Sequence, residues 1–213
     1  MVNKLILFDW GNIVESHTTG YSCLDAWDDV FKACGYKGNE KASGLAEEYK
    51  FTRIQTVEEF EVAYNKMAQK YNFKTTYAEF IKIYKEIFDK IDFYEDVSQY
   101  EKSLKDKCSI GIFSNLNVFD KERLDRQVNL SEYDYVFLSF ELGCKKPERI
   151  IYEKVNESIP FSPENVLFID DKQENIDEAK SVGWNALRAT GLELDKIKKY
   201  CENFINGNNL ENL

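Results

Sequence analysis

The fold of this chain is decided by one stretch, Val166-Leu167-Phe168-Ile169-Asp170-Asp171, in which four apolar residues run directly into two carboxylates. An apolar run of this length is typical of a buried strand in a parallel sheet. Open α/β sheets bind their ligands beyond the carboxyl ends of the strands, where we expect Asp170 and Asp171 to lie. Because adjacent carboxylates repel each other unless a cation is bound to them, the pair predicts a site for a hard divalent ion, which we expect to be Mg²⁺.

Three further apolar runs end in polar side chains of complementary chemistry. They are residues 4–8 before Asp9, residues 109–113 before Ser114 and Asn115, and residues 135–139, which lead through a glycine to Lys146. If the strands are parallel, these ends meet at one edge of the sheet and bring carboxylates, a hydroxyl and a lysine together. A cation site beside an anion site is the arrangement that phosphoryl transfer requires.

These four motifs, in this order, resemble those of the haloacid dehalogenase-like hydrolase superfamily. They are Phe8-Asp9-Trp10-Gly11-Asn12-Ile13, Phe113-Ser114-Asn115, Gly143-Cys144-Lys145-Lys146-Pro147 and Phe168-Ile169-Asp170-Asp171, followed at the family's usual spacing by Asn175, Ala179 and Gly183. Each motif alone is weak, but the ordered set covers nearly the whole chain. The resemblance implies an α/β fold, with a Rossmann-like parallel sheet flanked by helices and an inserted all-helical cap domain.

The resemblance also implies roles for single residues. Asp9 would be the nucleophile that forms an aspartyl-phosphate, the Ser114 hydroxyl would hold phosphoryl oxygens, and Lys146 would neutralise the nucleophile and the phosphate. The implied Mg²⁺ ligands are Asp9, Asp170, Asp171 and the backbone carbonyl of Gly11. The residues expected to contact the substrate are Asn115, Gly11 and Asn12. For Asp171 a second interpretation stays open, in which it accepts N–H bonds of its own loop instead of binding metal.

Gly11 departs from the commonest pattern of the family, in which a second aspartate stands two residues after the nucleophile and protonates the leaving oxygen. A positioned general acid–base contributes roughly 10²–10⁴-fold, or about 3–5 kcal/mol of barrier. A subgroup with a Gly-Asn pair at this position includes phosphatases that act on sugar phosphates, so the motif does not imply an inactive enzyme. It argues against phosphomutase chemistry, which needs that aspartate. Glu15 and His17 are either substitutes for the missing acid or ordinary residues of a hinge.

Between the first two predicted strands the sequence has helical patterns and no strand pattern. Thr56 with Glu59 and Thr76 with Glu79 form capping boxes that open two helices. We therefore predict a helical cap over residues 15–95 and an α/β core of residues 1–14 and 96–213. We interpret the aromatic residues of this cap mostly as packing core, with some available to line a substrate pocket; they include Trp27, Phe31, Phe60, Tyr64, Tyr84 and Phe88.

Composition limits the partners and the compartment. With 213 residues the chain is long enough for a core and a small accessory domain, and its net charge of −10 argues against nucleic acid and membrane surfaces as partners. The five scattered cysteines form no CxxC pair and are typical of free thiols in a reducing compartment. We find no secretory or membrane-spanning pattern, so we expect a cytoplasmic protein, either a monomer or a homodimer.

Three functions are open at this point. The leading prediction is a Mg²⁺-dependent phosphatase of a small phosphorylated metabolite, with sugar phosphates among the candidates. Gly11 keeps open a weakly active phosphate-binding or regulatory protein. The third function is a haloacid dehalogenase, against which the Asp170-Asp171 pair argues, because the dehalogenase branch of the family works without metal and lacks such a pair.

Overall fold

A five-stranded parallel sheet forms the centre of the protein in a computed structural model that describes residues 3–16, 20–49, 51 and 56–210. The strands are β1 (Leu5–Phe8), β2 (Ser109–Ser114), β3 (Tyr135–Leu138), β4 (Val166–Asp170) and β5 (Asn185–Arg188). Their order across the sheet is β3-β2-β1-β4-β5, and every neighbouring pair is parallel. The predicted α/β class with a parallel sheet is therefore confirmed.

Ten helices are found in the described part of the chain. They are α1 (Cys23–Ala33), α2 (Ala42–Glu48), α3 (Val57–Tyr71), α4 (Tyr77–Phe88), α5 (Glu95–Ser103), α6 (Asp120–Val128), α7 (Ser139–Leu142), α8 (Arg149–Ser158), α9 (Gln173–Ser181) and α10 (Leu194–Asn206). Helices α5, α6 and α10 pack on one face of the sheet, and α8 and α9 pack on the other. The sheet is thus the middle of three layers.

Strand β1 is apolar along its whole length because both of its faces are covered. In β1, Ile6 and Phe8 belong to the core cluster of α5, α6 and α10, whereas Leu5 and Leu7 belong to the cluster of α8 and α9. All four side chains are fully buried. The first carboxylates appear where such strands end, with Asp9 directly after β1 and Asp170 as the last residue of β4.

Helices α1 to α4, which we call the helical insert, lie between β1 and β2 in sequence and have an apolar cluster of their own. Both predicted capping boxes are present, since Thr56 accepts from the N–H of Glu59 and Thr76 from that of Glu79. No strand of the sheet comes from the described residues between 15 and 95. The exact division of the chain into a core and a cap of residues 15–95 stays a prediction.

One helix is shorter than its apolar pattern indicates. The pattern of α4 continues to Ile91, but the helix ends at Phe88 and the chain turns there, with the N–H of Ile91 donating to the Phe88 carbonyl. Ile91 nevertheless packs into the apolar cluster of the helical insert. Among all described helices, none combines the length and apolar character that crossing a bilayer needs.

Candidate active site

Three neighbouring strands bring the predicted residues to one edge of the sheet. Strand β1 lies between β2 and β4, so Asp9 stands between Ser114 at the end of β2 and Asp170 at the end of β4. Lys146 joins them from the loop before α8, with its Nζ 2.9 Å from Asp9 Oδ1 and 2.7 Å from Asp170 Oδ2. The structure therefore brings together the side chains that the sequence assigns to separate strand ends.

The ammonium group of Lys146 is completely enclosed. Its Nζ contacts both carboxylates and also donates to the Phe113 carbonyl at 2.8 Å, and the side chain is 1% exposed. Burial by itself lowers the pKa of Lys146, but the carboxylates of Asp170 and Asp9 outweigh burial and leave that pKa above its ordinary value. Lys146 is therefore a fixed positive charge between the two carboxylates.

Asn115 holds the backbone of this lysine. Its Nδ2 donates to the Lys146 carbonyl, its Oδ1 accepts from the Lys146 N–H, and both distances are 2.9 Å. The amide side chain that follows β2 therefore positions the loop of Lys146, although Asn115 also lines the cavity described below. Its expected contact with substrate stays a prediction.

The carboxylate of Asp9 has two unequal oxygens. Oδ1 accepts from Ser114 Oγ at 2.7 Å and from the Trp10 N–H at 2.8 Å, and it also contacts Lys146. Oδ2 has no hydrogen-bond donor among the residues that the structure describes. One oxygen is thus held in place while the other stays available, which is the arrangement that a carboxylate nucleophile needs.

The two carboxylates after β4 have different surroundings. Asp170 is fully buried and accepts hydrogen bonds from Asn175 Nδ2 to both of its oxygens, at 3.0 and 2.8 Å. Burial raises the pKa of Asp170, and the nearby Lys146 opposes this shift. Asp171 is half-buried and accepts from Asn12 Nδ2 at 3.0 Å. The amide of Asn12 therefore holds Asp171, and its expected contact with substrate stays a prediction.

Three carboxylates are close enough to share one cation. Oxygens of Asp9, Asp170 and Asp171 lie within 4.8 Å of one another. Together with Lys146 they carry three negative charges and one positive charge, so two negative charges remain for a divalent ion to neutralise. Oxygen ligands of this charge suit a hard cation such as Mg²⁺, and the donor set therefore fits the predicted metal.

A cavity of about 160 Å³ opens in front of these carboxylates. Its floor is the sheet edge, including Gly11, and its opposite wall contains side chains of the helical insert, among them Trp27, Tyr84 and Phe88. Drug-sized ligands usually occupy pockets of roughly 300–1,000 Å³. The cavity therefore suits a small substrate.

A buried polar network lies beside this cavity and was not predicted from the sequence. Arg123 forms ion pairs with Glu15 and Asp120, and the Tyr84 hydroxyl donates to Asp120 Oδ1 at 2.8 Å. Glu15 also accepts from Trp10 Nε1 at 3.1 Å. No local signal reveals this network, because Arg123 follows Glu15 by 108 residues.

This network bears on whether Glu15 can replace the general acid that Gly11 cannot supply. The carboxylate of Glu15 is paired with a buried guanidinium, which stabilises its ionised form, so Glu15 is poorly suited to give a proton to a leaving oxygen. His17, the other substitute considered, lies outside the described residues. Gly11 itself lines the cavity and carries no side chain.

Comparisons with known proteins give both phosphatases and dehalogenases. The chain is 30% identical over 95 residues to an enolase-phosphatase of a Sulfurihydrogenibium species and 38% identical over 58 residues to a sesquiterpene phosphatase of Aspergillus oryzae. These stretches cover 43% and 27% of this chain, and 41% and 30% of the two relatives. The chain thus matches less than half of the length of either curated relative.

Solved structures share the fold over most of the chain. A haloacid dehalogenase family enzyme of Bacteroides thetaiotaomicron, crystallised with magnesium and inorganic phosphate, has a TM-score of 0.71 at 17% identity and covers 89% of this chain and 96% of its own. An L-2-haloacid dehalogenase of Xanthobacter autotrophicus has a TM-score of 0.63 at 14% identity, covering 93% and 82%. At these identities the likeness concerns the fold alone.

The family itself follows from a match along the sequence. A family model described as haloacid dehalogenase-like hydrolase matches residues 6–189, a span that includes Asp9, Ser114, Lys146, Asp170 and Asp171. The ordered motifs, the parallel sheet and the cluster at its edge agree with that match. This chain belongs to the haloacid dehalogenase-like hydrolase family.

Proposed function

We propose that this protein is a Mg²⁺-dependent phosphatase that hydrolyses a small phosphorylated metabolite, with sugar phosphates among the candidates, through an aspartyl-phosphate on Asp9. The observation that carries the proposal is the environment of Asp9. Its Oδ1 is held by Ser114, Trp10 and Lys146, its Oδ2 is available, and two further carboxylates stand within reach of a shared cation.

In the proposed first step, Asp9 Oδ2 attacks phosphorus as the bond from phosphorus to the leaving oxygen breaks, and the leaving oxygen departs with the bonding pair and takes a proton from water. Water then attacks phosphorus, the bond to Asp9 breaks, and inorganic phosphate leaves with the regenerated carboxylate behind it. Ser114 and Lys146, already at Asp9, would hold the phosphoryl oxygens and balance their charge.

Mg²⁺ would be held by Asp9, Asp170, Asp171 and the Gly11 carbonyl. When bound, it supplies a positive charge that polarises the phosphoryl group. The Bacteroides thetaiotaomicron enzyme, whose crystals contain magnesium and phosphate, and the two phosphatase relatives support this proposal. We further propose that residues 15–95 act as a cap that encloses the substrate and excludes water.

Two alternatives make different predictions in one experiment. Purified protein is incubated with aryl phosphates and a panel of phosphorylated metabolites, and with 2-chloropropionate, in the presence of Mg²⁺ or of excess chelator. The proposal requires phosphate release that stops in chelator and returns with Mg²⁺. Halide release that is indifferent to chelator would establish a dehalogenase instead. Phosphate binding in calorimetry without any turnover would establish the weakly active binding protein.

A further inference from the structure

Residues 10–15 form a hydrogen-bonded turn directly after Asp9, which we call the nucleophile turn. The Trp10 carbonyl accepts from the Glu15 N–H at 3.0 Å, and the Glu15 carbonyl accepts from the Asn12 N–H at 2.8 Å. The backbone of the turn therefore joins its first residue to its last.

The nucleophile turn presents a backbone donor to the nucleophile. The Trp10 N–H donates to Asp9 Oδ1 at 2.8 Å and shares that oxygen with Ser114 and Lys146. Gly11, the next residue of the turn, lines the cavity, and its carbonyl is a proposed ligand of the metal. A shift of Trp10 would therefore move groups that face the reacting atoms.

The Glu15 side chain closes the same turn a second time. Its Oε2 accepts from Trp10 Nε1 at 3.1 Å, and the two residues are 3% and 1% exposed. An indole N–H only donates and a carboxylate only accepts, so each is a suitable partner for the other. Hydrogen bonds to an ionised acceptor are stronger than those between neutral groups. The bond from Trp10 to Glu15 therefore holds the Trp10 side chain in place.

Arg123 anchors this carboxylate from outside the turn. The oxygen of Glu15 that accepts from Trp10 is also the one that contacts the Arg123 guanidinium. Arg123 is 5% exposed and belongs to α6, a helix packed on the sheet. Because a buried carboxylate needs a partner to stay ionised, the ion pair keeps Glu15 charged and ties the nucleophile turn to α6.

The charge of Arg123 alone does not account for Glu15. The Nη2 atom of Arg123 lies 3.3 Å from Asp120 Oδ1, so Asp120 already supplies one negative charge for this guanidinium. Glu15 adds a second buried carboxylate to the same cation, and an unbalanced buried charge costs folding free energy. The contact that is particular to Glu15 is the one with Trp10.

We propose that Glu15 is a positioning residue that acts on Asp9 through Trp10. Its carboxylate holds the Trp10 ring, and the Trp10 backbone N–H in turn holds Asp9 Oδ1 while Oδ2 stays available for attack. The inference rests on the proposed phosphatase function. It adds a residue that orients the nucleophile without giving a proton to the leaving oxygen.

Two substitutions of Glu15 separate its acceptor oxygen from its charge. Gln keeps an oxygen where Oε2 accepts from Trp10 and Arg123, and Leu removes it. With aryl phosphates and saturating Mg²⁺, Glu15→Leu should lower kcat by about tenfold or more and change KM by less than about threefold, because a displaced nucleophile slows the chemical step. Glu15→Gln should restore kcat to at least about a third of wild type, with the same dependence on pH.

The other end of the hydrogen bond provides an independent variant. Trp10→Phe removes the indole N–H, keeps an aromatic ring and leaves Glu15 its partner Arg123. It should lower kcat by a factor similar to that of Glu15→Leu. In the Trp10→Phe/Glu15→Leu double variant kcat should fall no more than about twofold further, because both changes remove the same bond. If Glu15→Leu does not fold, Trp10→Phe and Glu15→Gln still test the proposal.

Glu101→Leu is the matched control for a merely structural effect. Glu101 is also a fully buried carboxylate, bonded to the Tyr133 hydroxyl at 2.6 Å, and it does not line the cavity. The same change of Glu to Leu should lower Tm there and leave kcat at the wild-type value at temperatures where the variant is folded.

The possible outcomes separate two failures. A wild-type kcat in Glu15→Leu or Trp10→Phe, losses that multiply in the double variant, or an equal loss of kcat in Glu101→Leu would each overturn the positioning role and leave the phosphatase proposal intact. So would a Glu15→Gln variant that is as slow as Glu15→Leu or that loses one limb of the pH profile. If the wild-type protein hydrolyses no aryl phosphate with Mg²⁺, the proposed function fails and the role of Glu15 fails with it.

Discussion

At the scale of single residues, Gly11 determines how the leaving oxygen would depart in the proposed reaction. It has no side chain to protonate that oxygen, and Glu15, the nearest described substitute, is ion-paired with Arg123. We therefore predict a steep dependence of kcat/KM on the pKa of the leaving group across a series of aryl phosphates. The missing acid corresponds to about 3–5 kcal/mol, enough to favour aryl, acyl and anomeric phosphates over phosphates of primary alcohols.

Two variants sharpen the leaving-group experiment. Gly11→Asp should flatten the dependence, provided that Mg²⁺ affinity is unchanged. A flat dependence in the wild-type protein would contradict the prediction and indicate an acid elsewhere. If the flat dependence then becomes steep in His17→Ala but not in Glu15→Gln, the acid is the histidine.

Asp9 is the second residue with a decisive test. Asp9→Asn should reduce phosphate release below a tenth of wild type, because an amide cannot attack phosphorus, and should leave the fold intact, because Lys146 keeps Asp170 as its partner. A residual above one tenth would mean a loss of no more than about 1.4 kcal/mol and would exclude Asp9 as the nucleophile. The exposed Asp177→Asn is the matched control and should be fully active.

The Ser114 hydroxyl contacts Asp9 and is an alternative nucleophile, and the covalent intermediate distinguishes the two residues. A phosphoenzyme trapped by acid quenching should release its phosphate in hydroxylamine, which cleaves acyl phosphates and spares phosphoserine. A phosphoenzyme that resists hydroxylamine would indicate that Ser114, and not Asp9, is the nucleophile.

Glu101 gives a prediction about stability. It is fully buried, accepts from the Tyr133 hydroxyl at 2.6 Å, and burial raises its pKa from 4.5 to about 8. The folded protein therefore binds this proton more tightly than the unfolded chain, so the stabilisation is complete below about pH 4.5 and is lost as the pH rises towards 8. Between pH 5.5 and 8.5 the free energy of unfolding should fall by roughly 2–3 kcal/mol more in wild type than in Glu101→Gln. Urea unfolding of both proteins at the two pH values measures this difference. An equal change in the free energy of unfolding in wild type and Glu101→Gln would refute the prediction.

At the scale of elements, the parts that follow local rules could be predicted from the sequence. The strands β1 and β4 are apolar runs buried on both faces, and Thr56 and Thr76 open helices through short-range capping bonds. Such patterns are complete within a few residues. The convergence of Asp9, Ser114 and Asp170 then follows from parallel strands in one sheet.

Interactions between distant elements could not be predicted in this way. Nothing near Tyr84 in sequence indicates that its hydroxyl meets Asp120, which lies 36 residues further along the chain. The aromatic spacing of Trp27 is equally compatible with core and with cavity wall. These contacts depend on tertiary geometry, which hydrophobic periodicity does not encode.

The seam between α4 and α6 is such an interaction, and it contains a buried and an exposed contact. Tyr84 is buried and bonded to Asp120 and Asn117, whereas Lys85 pairs with Glu122 at 3.1 Å in solvent. Tyr84→Phe should lower the free energy of unfolding by about 1–3 kcal/mol, because it leaves the Asn117 amide without its acceptor. Lys85→Ala should cost less than about 1 kcal/mol. Urea unfolding of both variants checks the order, and an equal or reversed order would contradict a buried seam.

At the scale of the whole molecule, the protein and its proposed substrate carry charges of the same sign. The chain carries a net charge of −10, yet its proposed substrate is an anion, so long-range attraction does not deliver it. The positive charge must come from inside the site, from Lys146 and from a cation on Asp9, Asp170 and Asp171. A cation that binds this cluster belongs to the folded state alone, because only folding brings carboxylates from β1 and β4 together.

Mg²⁺ should therefore stabilise the folded protein independently of turnover. A ligand at 100 times its Kd adds about 2.7 kcal/mol to the free energy of unfolding. We expect saturating MgCl₂ to raise Tm relative to NaCl of equal ionic strength, and Asp171→Asn to lose most of that increment. Asp177→Asn, which removes an equal charge from an exposed site on α9, should keep it. If Asp171→Asn retains the full increment in Tm, Asp171 is held by Asn12 and does not bind the metal. If the wild-type protein shows no increment, the carboxylate cluster does not bind Mg²⁺, and the proposed reaction at Asp9 has no cation to support it.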